Sequence, residues 1–191
     1  MRLRPAELAV LFLIGAAGGL VGDAGHVQAG TTAYIDDSLP FIWESALWFP
    51  LAVGLATASL AEIRLLLAPP RRGFEPLEGV GGIAAVIGIY ALTAVVFEQA
   101  ELPVVVLISM LAALVAVWLA DGPALVCGAL AAVGGPLVEI IVVEADLARY
   151  HESADSLFGV AIWLVPLYFA FGVVAARLGE LAVARRLNRI R

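Results

Sequence analysis

Residues 41–67 read FIWESALWFPLAVGLATASLAEIRLLL, and this stretch decides the class of fold. It is apolar over a greater length than an ordinary soluble domain uses. Trp43 and Trp48 lie near its start and Arg64 lies near its far end. Tryptophan is enriched at membrane interfaces, and arginine is enriched at cytoplasmic ends of spans. The stretch therefore predicts a membrane-spanning helix with an aromatic outer end and a basic inner end.

The composition of the whole chain agrees with this interpretation. Of the 191 residues, 62% are hydrophobic and 15% are charged, and the mean hydropathy is +1.00. About a quarter of the residues in soluble domains are charged. The composition therefore predicts an integral membrane protein. Cys127 is the single cysteine, so an internal disulfide and a thiolate metal site are both excluded.

Five further apolar stretches are predicted to pack around the first. The earliest carries glycines at small-xxx-small spacing, Gly15 with Gly19 and Gly18 with Gly22, a pattern that lets helices approach closely and favours oligomers. Its outline also resembles a signal peptide, but we interpret it as a span, followed by a polar loop from residue 22 to 40. The predicted fold is an all-α membrane protein, a single domain over residues 1–191 with six transmembrane helices at about 6–21, 41–67, 79–97, 104–120, 124–143 and 157–176.

The distribution of arginine predicts the orientation. With six spans, ten of the eleven basic residues fall on one side, and only Arg149 falls on the other. The positive-inside rule then places both termini in the cytoplasm. The use of arginine without lysine, together with abundant alanine, valine and leucine, is typical of a GC-rich bacterial genome. The predicted location is the bacterial inner (plasma) membrane.

Two carboxylates fall inside predicted spans, Glu44 about one turn into the second and Glu139 near the outer end of the fifth. A charge in hydrocarbon costs several kcal/mol unless it is paired or hydrated, so such residues are functional candidates. Both lie at outer-leaflet depth, where they either face one polar-topped cavity or extend to the headgroups. The same pair permits an alternative function, a small proton-coupled transporter, which requires a hydrated path across the membrane.

A second alternative is a lipid-modifying enzyme that uses the first outer loop. His26 lies there with Asp23, Asp36 and Asp37, but without a recognised metal-ligand spacing. HExxH, GxSxG and glycine-rich phosphate motifs do not occur in the sequence. We therefore predict no catalytic residue, metal site, cofactor or nucleic-acid partner.

The remaining polar and aromatic residues predict a cavity for a lipid within the bundle. Pro50, Pro136 and Pro166 are expected to bend the second, fifth and sixth spans and so leave room between them. Apolar walls with a few polar groups are typical of ligand pockets. The predicted lipid-binding residues are Glu44, Trp48, Ile87, Tyr90, Thr93, Glu139 and Trp163.

Several motifs resemble the insulin-induced gene protein (Insig) family. Residues 45–50, SALWFP, resemble a Ser-Ala-Trp-Trp-x-Pro run in the second span of that family, and Gly54 with residues 57–59 resembles the Gly-Thr-Ala-Ser segment that follows it. The likeness covers about residues 40 to 182. It continues in Trp118 to Asp121, in Tyr150 with Ser153 to Asp155, and in Trp163-Leu164 with Pro166, Gly172 and Gly179.

The resemblance implies six spans, cytoplasmic termini and a non-catalytic membrane regulator. Family members in animals bind oxysterols within the bundle and hold sterol-sensing partners, and Asp121 matches a residue that serves this partnership. Two features depart from the pattern: residues 104–106 are apolar where a ligand-contacting glutamine is expected, and residues 122–124 are not basic. The expected ligand is therefore another neutral amphipathic lipid, oxysterol-like or diacylglycerol-like. The expected assembly is a homo-oligomer, a dimer or a trimer, with no protein partner identified.

Overall fold

The protein is an α-helical bundle with two short antiparallel strand pairs at one end. The computed structural model describes residues 2–35, 40–71 and 75–188, apart from the side chains of residues 185–188. Six helices are long and apolar enough to cross a membrane, which confirms the predicted fold class. They are α1 (Pro5–Ala29), α2 (Trp48–Leu67), α3 (Pro76–Val96), α4 (Glu101–Leu119), α5 (Gly122–Glu144) and α6 (Leu164–Asn188). The strands are β1 (Thr32–Tyr34), β2 (Phe41–Ile42), β3 (Ser45–Ala46) and β4 (Ala148–Tyr150), paired β1 with β4 and β2 with β3.

Helix α6 is the central helix of the bundle and packs against α2, α3, α4 and α5. Ala170, Val173 and Ala176 on α6 are wholly buried. At Gly172 the absence of a side chain allows contact with α5, because a Cβ there would lie 2.5 Å from the carbonyl oxygen of Cys127. The core therefore runs along α6, with the other helices arranged around it.

The second span begins later than the sequence predicts. Residues 41–46 form the hairpin β2–β3, and the helix starts at Trp48. Hydropathy alone does not distinguish this apolar hairpin from a helix. Pro50 marks the true start, because proline is tolerated in the first turn, where its missing N–H is not required.

The first span ends later than predicted, at Ala29. The residues from Gly22 onward resemble a loop in composition, yet they continue α1. The helix ends where Gly30 takes a positive φ of 81° and donates its N–H back to the last turn, a common helix termination. Asp23 and His26 therefore lie on a membrane helix, and the prediction of an outer loop for them is wrong.

The sixth span is displaced toward the C-terminus. Residues 157–163 are turns, in which Phe158 and Gly159 both have positive φ, and α6 extends from Leu164 to Asn188. The sequence-based end at residue 176 is wrong because charged residues beyond it lower the hydropathy. Arg177 and Glu180 are paired with each other and buried, so the helix remains buried at these residues.

The prolines do not all act as expected. Pro50 and Pro166 lie in the first turns of α2 and α6, where proline breaks no intrahelical hydrogen bond. The predicted bends at these two positions are therefore wrong. Pro136 does lie within a helix, and α5 continues through it as one element.

Candidate functional site

A cavity between α2, α5 and α6, here called the lateral cavity, carries buried polar groups at one end. Its volume is about 310 Å³ and its walls are almost wholly apolar. Leu130 and Val138 on its rim are each 49% exposed, so the cavity opens sideways between α2 and α5. Trp48, Glu139 and Tyr168 lie toward the end of the bundle at which α2 and α6 begin. The cavity is thus apolar along its length and polar at one end.

A second space, here called the inner cavity, lies between α1, α2, α3 and α6. Its volume is about 80 Å³, and Ile87 and Tyr90 on α3 line it. Tyr90 fits beside α1 because Gly22 has no side chain, since a Cβ there would lie 1.7 Å from the tyrosine ring. The inner cavity is closer to the middle of the bundle than the lateral cavity.

A small polar space, here called the polar chamber, lies beside both cavities. It measures about 10 Å³, roughly the room that one water molecule needs. Two carboxyl groups, Asp23 and Glu139, line it together with three tyrosines, Tyr34, Tyr90 and Tyr150. Among the described residues no basic side chain lines this chamber, so its hydrogen-bond donors are uncharged groups, such as the tyrosine hydroxyls and the indole N–H of Trp48.

Four side chains separate the lateral cavity from the inner cavity: Phe49, Val53, Tyr168 and Phe171 line both. We call these four residues the partition. Phe49 lines the polar chamber as well and is only 5% exposed. The three spaces therefore meet at the first turn of α2, next to the SALWFP motif.

Hydrogen bonds fix two of the polar groups at this junction. The Tyr168 hydroxyl donates to Oε1 of Glu139 over 2.7 Å, and the Tyr34 hydroxyl donates to Oδ2 of Asp23 over 2.6 Å. Burial and the neighbouring Asp23 carboxylate raise the pKa of Tyr34, so this hydroxyl keeps its proton and acts as a donor. Each carboxyl group retains further acceptor positions.

Trp48 supplies a donor that no protein group uses. Its indole Nε1 is buried and, within the described part of the chain, has no hydrogen-bond partner. Trp48 lines both the lateral cavity and the polar chamber. A buried unsatisfied donor costs about 1–3 kcal/mol, so an acceptor brought by a ligand would bind favourably here.

The predicted lipid-binding residues separate into two groups. Trp48 and Glu139 line the lateral cavity, and Ile87 and Tyr90 line the inner cavity. The other three residues, Glu44, Thr93 and Trp163, lie outside both cavities.

Thr93 and Trp163 belong to a buried cluster around His26 and line none of the three spaces. Nε2 of His26 lies 2.8 Å from the Thr93 hydroxyl, and the Trp163 ring meets the imidazole edge-on at 5.6 Å. Thr93 and Trp163 therefore pack around His26, and their contact with a lipid stays a prediction. The periodicity of α3 places Thr93 near Tyr90, but the His26 ring occupies the space beside it.

Glu44 does not lie in a membrane helix. It is exposed in the turn between β2 and β3, before α2 begins. Its predicted position one turn into the second span is wrong because the hairpin precedes the helix. The expectation that Glu44 and Glu139 face one cavity loses its geometric basis.

The opposite end of the bundle carries a group of charges around the buried Glu180, here called the ionic cluster: Arg64, Arg71, Asp121, Arg177 and Glu180. Glu180 is wholly buried and contacts the guanidinium groups of both Arg64 and Arg177. It also accepts the backbone N–H of Arg71 over 2.9 Å. The cluster ties α2, α6 and the start of the α2–α3 connection together.

Asp121 links the ionic cluster to α5. It caps the helix by accepting the N–H of Ala124 over 3.0 Å, and Oδ2 lies 2.7 Å from Arg64 and 3.2 Å from Arg71. Partial burial raises the pKa of Asp121, but the Ala124 hydrogen bond and the two guanidinium groups outweigh it and lower the pKa overall. The residue that the resemblance associates with a partner is thus held by intramolecular contacts.

The alternative of an enzyme centred on His26 finds no geometric support. His26 is 1% exposed and contacts Thr93 and the carbonyl oxygen of Tyr90. Asp36 and Asp37 lie outside the described residues. Among the residues that are described, no group of three or more histidine, cysteine, aspartate or glutamate side chains is placed to hold a metal ion.

Sequence reasoning missed several residues of the site. The polar composition around Asp23 predicts a loop, although Gly30 signals a later helix end. No local pattern indicates Tyr34 or Tyr168, because their hydrogen-bond partners, Asp23 and Glu139, lie in other elements of the chain. Phe49 was visible only as part of the SALWFP motif. Nothing in the local pattern indicates that it borders three spaces.

Comparisons with known proteins agree on one relative. No family model matches the chain. An INSIG protein homolog from Mycolicibacterium vanbaalenii is 54% identical over 186 residues, which cover 97% of this chain and 91% of the relative. The crystal structure of MvINS, a mycobacterial Insig homolog from Mycobacterium vanbaalenii, matches this chain with a TM-score of 0.96 and 54% sequence identity. The match covers 97% of this chain and 98% of the MvINS chain. A structure of a cross-linked MvINS trimer, which carries an Arg-to-Cys substitution, matches equally well. This identity over nearly the full length shows that the chain belongs to the Insig family.

Proposed function

We propose that the protein is a non-catalytic lipid-binding protein that holds one neutral amphipathic lipid in the lateral cavity. The observation that carries the proposal is the shape and chemistry of that cavity. It is a space of about 310 Å³ with apolar walls, open sideways between α2 and α5, with Glu139 and Trp48 at one end. Pockets of this kind bind apolar bodies through their walls and orient them through a few polar groups.

The polar end favours a head with both a donor and an acceptor. Glu139 accepts a hydrogen bond from a ligand hydroxyl, and the free Nε1 of Trp48 donates to a ligand carbonyl. A diacylglycerol-like lipid presents a hydroxyl beside ester carbonyls. An oxysterol-like lipid presents hydroxyls alone, so the same type of group must serve Glu139 as a donor and Trp48 as an acceptor. An acylglycerol offers a separate group for each, and we favour that class.

The transporter alternative has less support than lipid binding. It requires two membrane carboxylates along a hydrated path, and Glu44 lies in an exposed turn outside the helices. The walls of the lateral cavity and of the inner cavity are almost wholly apolar. A path for protons or ions needs polar groups along its whole length.

The proposed assembly is a homo-oligomer in the bacterial inner membrane. The cross-linked trimer of the related MvINS supports a trimer for this chain. The lipid-exposed faces of the helices, such as Leu55 on α2 and Val117 on α4, provide apolar surface for such contacts. Asp121 is proposed to support a partner surface by holding the α4–α5 connection in place, since its own carboxylate is occupied by Arg64 and Arg71.

Filling the lateral cavity tests the lipid proposal. Ala56 on α2 lines that cavity, so Ala56→Phe is expected to reduce the amount of lipid that co-purifies with the protein several-fold. The melting temperature should not fall, because the new ring occupies existing space. Lipid extraction followed by mass spectrometry measures the content. The matched control is Ala91→Phe, at an exposed alanine on α3 that lines none of the cavities. Equal lipid content in the two variants would contradict the proposal.

Cysteine labelling tests the proposed orientation. In a Cys127→Ser background, Glu75→Cys lies in the α2–α3 connection and Glu98→Cys lies in the α3–α4 turn, and both positions are exposed. With the ionic cluster at the cytoplasmic end, a membrane-impermeant maleimide added to intact cells should label residue 98 and leave residue 75 unlabelled. The reverse pattern would refute cytoplasmic termini.

A further inference from the structure

An open groove lies between α1 and α2 and is here called the α1–α2 groove. Its volume is about 550 Å³. Apolar side chains of both helices, such as Leu8, Phe12 and Ile63, form its walls, and Ser59 and Glu62 add polar groups. Ser59 is exposed, so the groove faces the lipid around the bundle. Of the residues described, Ser59 alone lines both this groove and the lateral cavity.

Glu62 places a carboxylate at one end of the α1–α2 groove. Its Oε2 accepts the backbone N–H of Leu3 over 2.9 Å, which sets it level with the residues just before α1. It also lies roughly 7.5 Å along the helix axis from the end of α2 at Leu67. A position so close to the ends of two membrane helices corresponds to the headgroup region of a bilayer and not to its centre.

This carboxylate has no basic partner within the described part of the chain. No ion pair there includes Glu62. After the hydrogen bond from Leu3, the carboxylate retains further acceptor positions. An acid on a membrane helix is costly unless it is paired or hydrated. The groove therefore offers a negative charge to a donor that comes from outside the chain.

Arg4 adds the opposite charge next to this acid. It directly follows Leu3, which is hydrogen-bonded to Glu62, and it is exposed. A zwitterionic phospholipid complements the pair, because its phosphate suits a guanidinium group and its ammonium suits a carboxylate. A guanidinium group from a second copy of the chain would match Glu62 but would lie close to the like charge of Arg4. The charge pattern therefore favours a phospholipid over a second copy.

We propose that the α1–α2 groove binds one phospholipid with a primary ammonium head, such as phosphatidylethanolamine, with the ammonium on Glu62, the phosphate toward Arg4 and an acyl chain along the apolar walls. A primary ammonium donates N–H groups to the carboxylate, whereas the quaternary ammonium of choline has none to donate. Glu62 thus selects ethanolamine over choline. This site goes beyond the proposed function and does not depend on the lateral cavity.

Native mass spectrometry in mixed micelles tests this inference with equal amounts of dioleoylphosphatidylethanolamine and dioleoylphosphatidylcholine. The two probes share their chains and their phosphate and differ only at the head nitrogen. The wild type should retain the ethanolamine lipid about two- to fivefold more than the choline lipid, the range expected for a partly exposed ion pair. Glu62→Gln keeps an oxygen for the N–H of Leu3 and removes the charge, so this preference should be lost.

Glu75→Gln is the matched control, because it removes an exposed acid that does not line the groove. It should keep the preference of the wild type. Ala9→Phe places a ring in the groove from α1 and should reduce the retention of both phospholipids.

The inference is overturned if the wild type shows no preference, if Glu62→Gln keeps it, or if Ala9→Phe retains both lipids as the wild type does. It is also overturned if Glu62→Gln changes the proportion of oligomer and leaves the ratio of the two lipids unaltered, since the groove would then contact a second copy. The content of neutral lipid should be the same in Glu62→Gln and the wild type, so failure of this inference leaves the proposed function standing.

Discussion

Replacing Glu180 with alanine is expected to lower the free energy of unfolding by about 3–5 kcal/mol. Glu180 is wholly buried and contacts Arg64 and Arg177, which are also buried. Removal of the carboxylate leaves guanidinium charge inside the bundle with less compensation. Removing one partner of a buried ion pair is strongly destabilising, because the charge that remains is buried without a partner and cannot regain its hydration. Replacing the whole pair by apolar residues costs much less.

Denaturation of the purified protein in mixed micelles, followed by circular dichroism, measures this loss. The matched control is Glu98→Ala, which removes an exposed glutamate after the last turn of α3 and is expected to change stability by less than about 0.5 kcal/mol. If Glu180→Ala is as stable as Glu98→Ala, the ionic cluster does not hold α2 and α6 together.

Gly172→Ala is expected to destabilise the bundle by about 1–3 kcal/mol or more. The added methyl group would lie 2.5 Å from the carbonyl oxygen of Cys127 and 2.9 Å from the Cα of Gly128. Both are backbone atoms, so no side-chain rotation relieves the contact. The central helix α6 must move away from α5, and packing along the shared surface is lost.

Gly88→Ala provides the control for this substitution. A Cβ at Gly88 in α3 meets no atom within 4 Å, so the same chemical change should be neutral or stabilising by up to about 1 kcal/mol through helix propensity. Thermal denaturation of the two variants in one detergent gives the comparison. Similar melting temperatures would show that α5 and α6 are not packed as closely as described.

The six helices could be predicted from the sequence because hydropathy and the turn residues between spans are local signals. The helix ends could not be predicted as well. The hairpin at residues 41–46 begins with Phe, Ile and Trp and adjoins the apolar helix α2, and the last turns of α6 carry charges that resemble a solvent-exposed tail. Pro50 and Pro166, understood as first-turn residues, do mark the correct starts of α2 and α6.

The candidate site was only partly predictable, for a different reason. Glu139 can be selected from the sequence because an acid inside a span is a functional candidate, and Trp48 because it lies in the SALWFP motif. The contacts that make the site, Tyr168 with Glu139 and Tyr34 with Asp23, depend on how helices and strands are arranged in space. The burial of Glu180 also depends on the arrangement of the helices, because its carboxylate pairs with Arg64 on α2 and Arg177 on α6.

The most direct test of the lipid proposal is native mass spectrometry of the wild-type protein released from its own membrane, with the bound species identified by fragmentation. The proposal predicts one neutral lipid per protomer that carries a free hydroxyl and ester carbonyls, matching Glu139 and the Nε1 of Trp48 at the lateral cavity. Protomers that carry no lipid, or that carry only phospholipid in varying amounts, would contradict it.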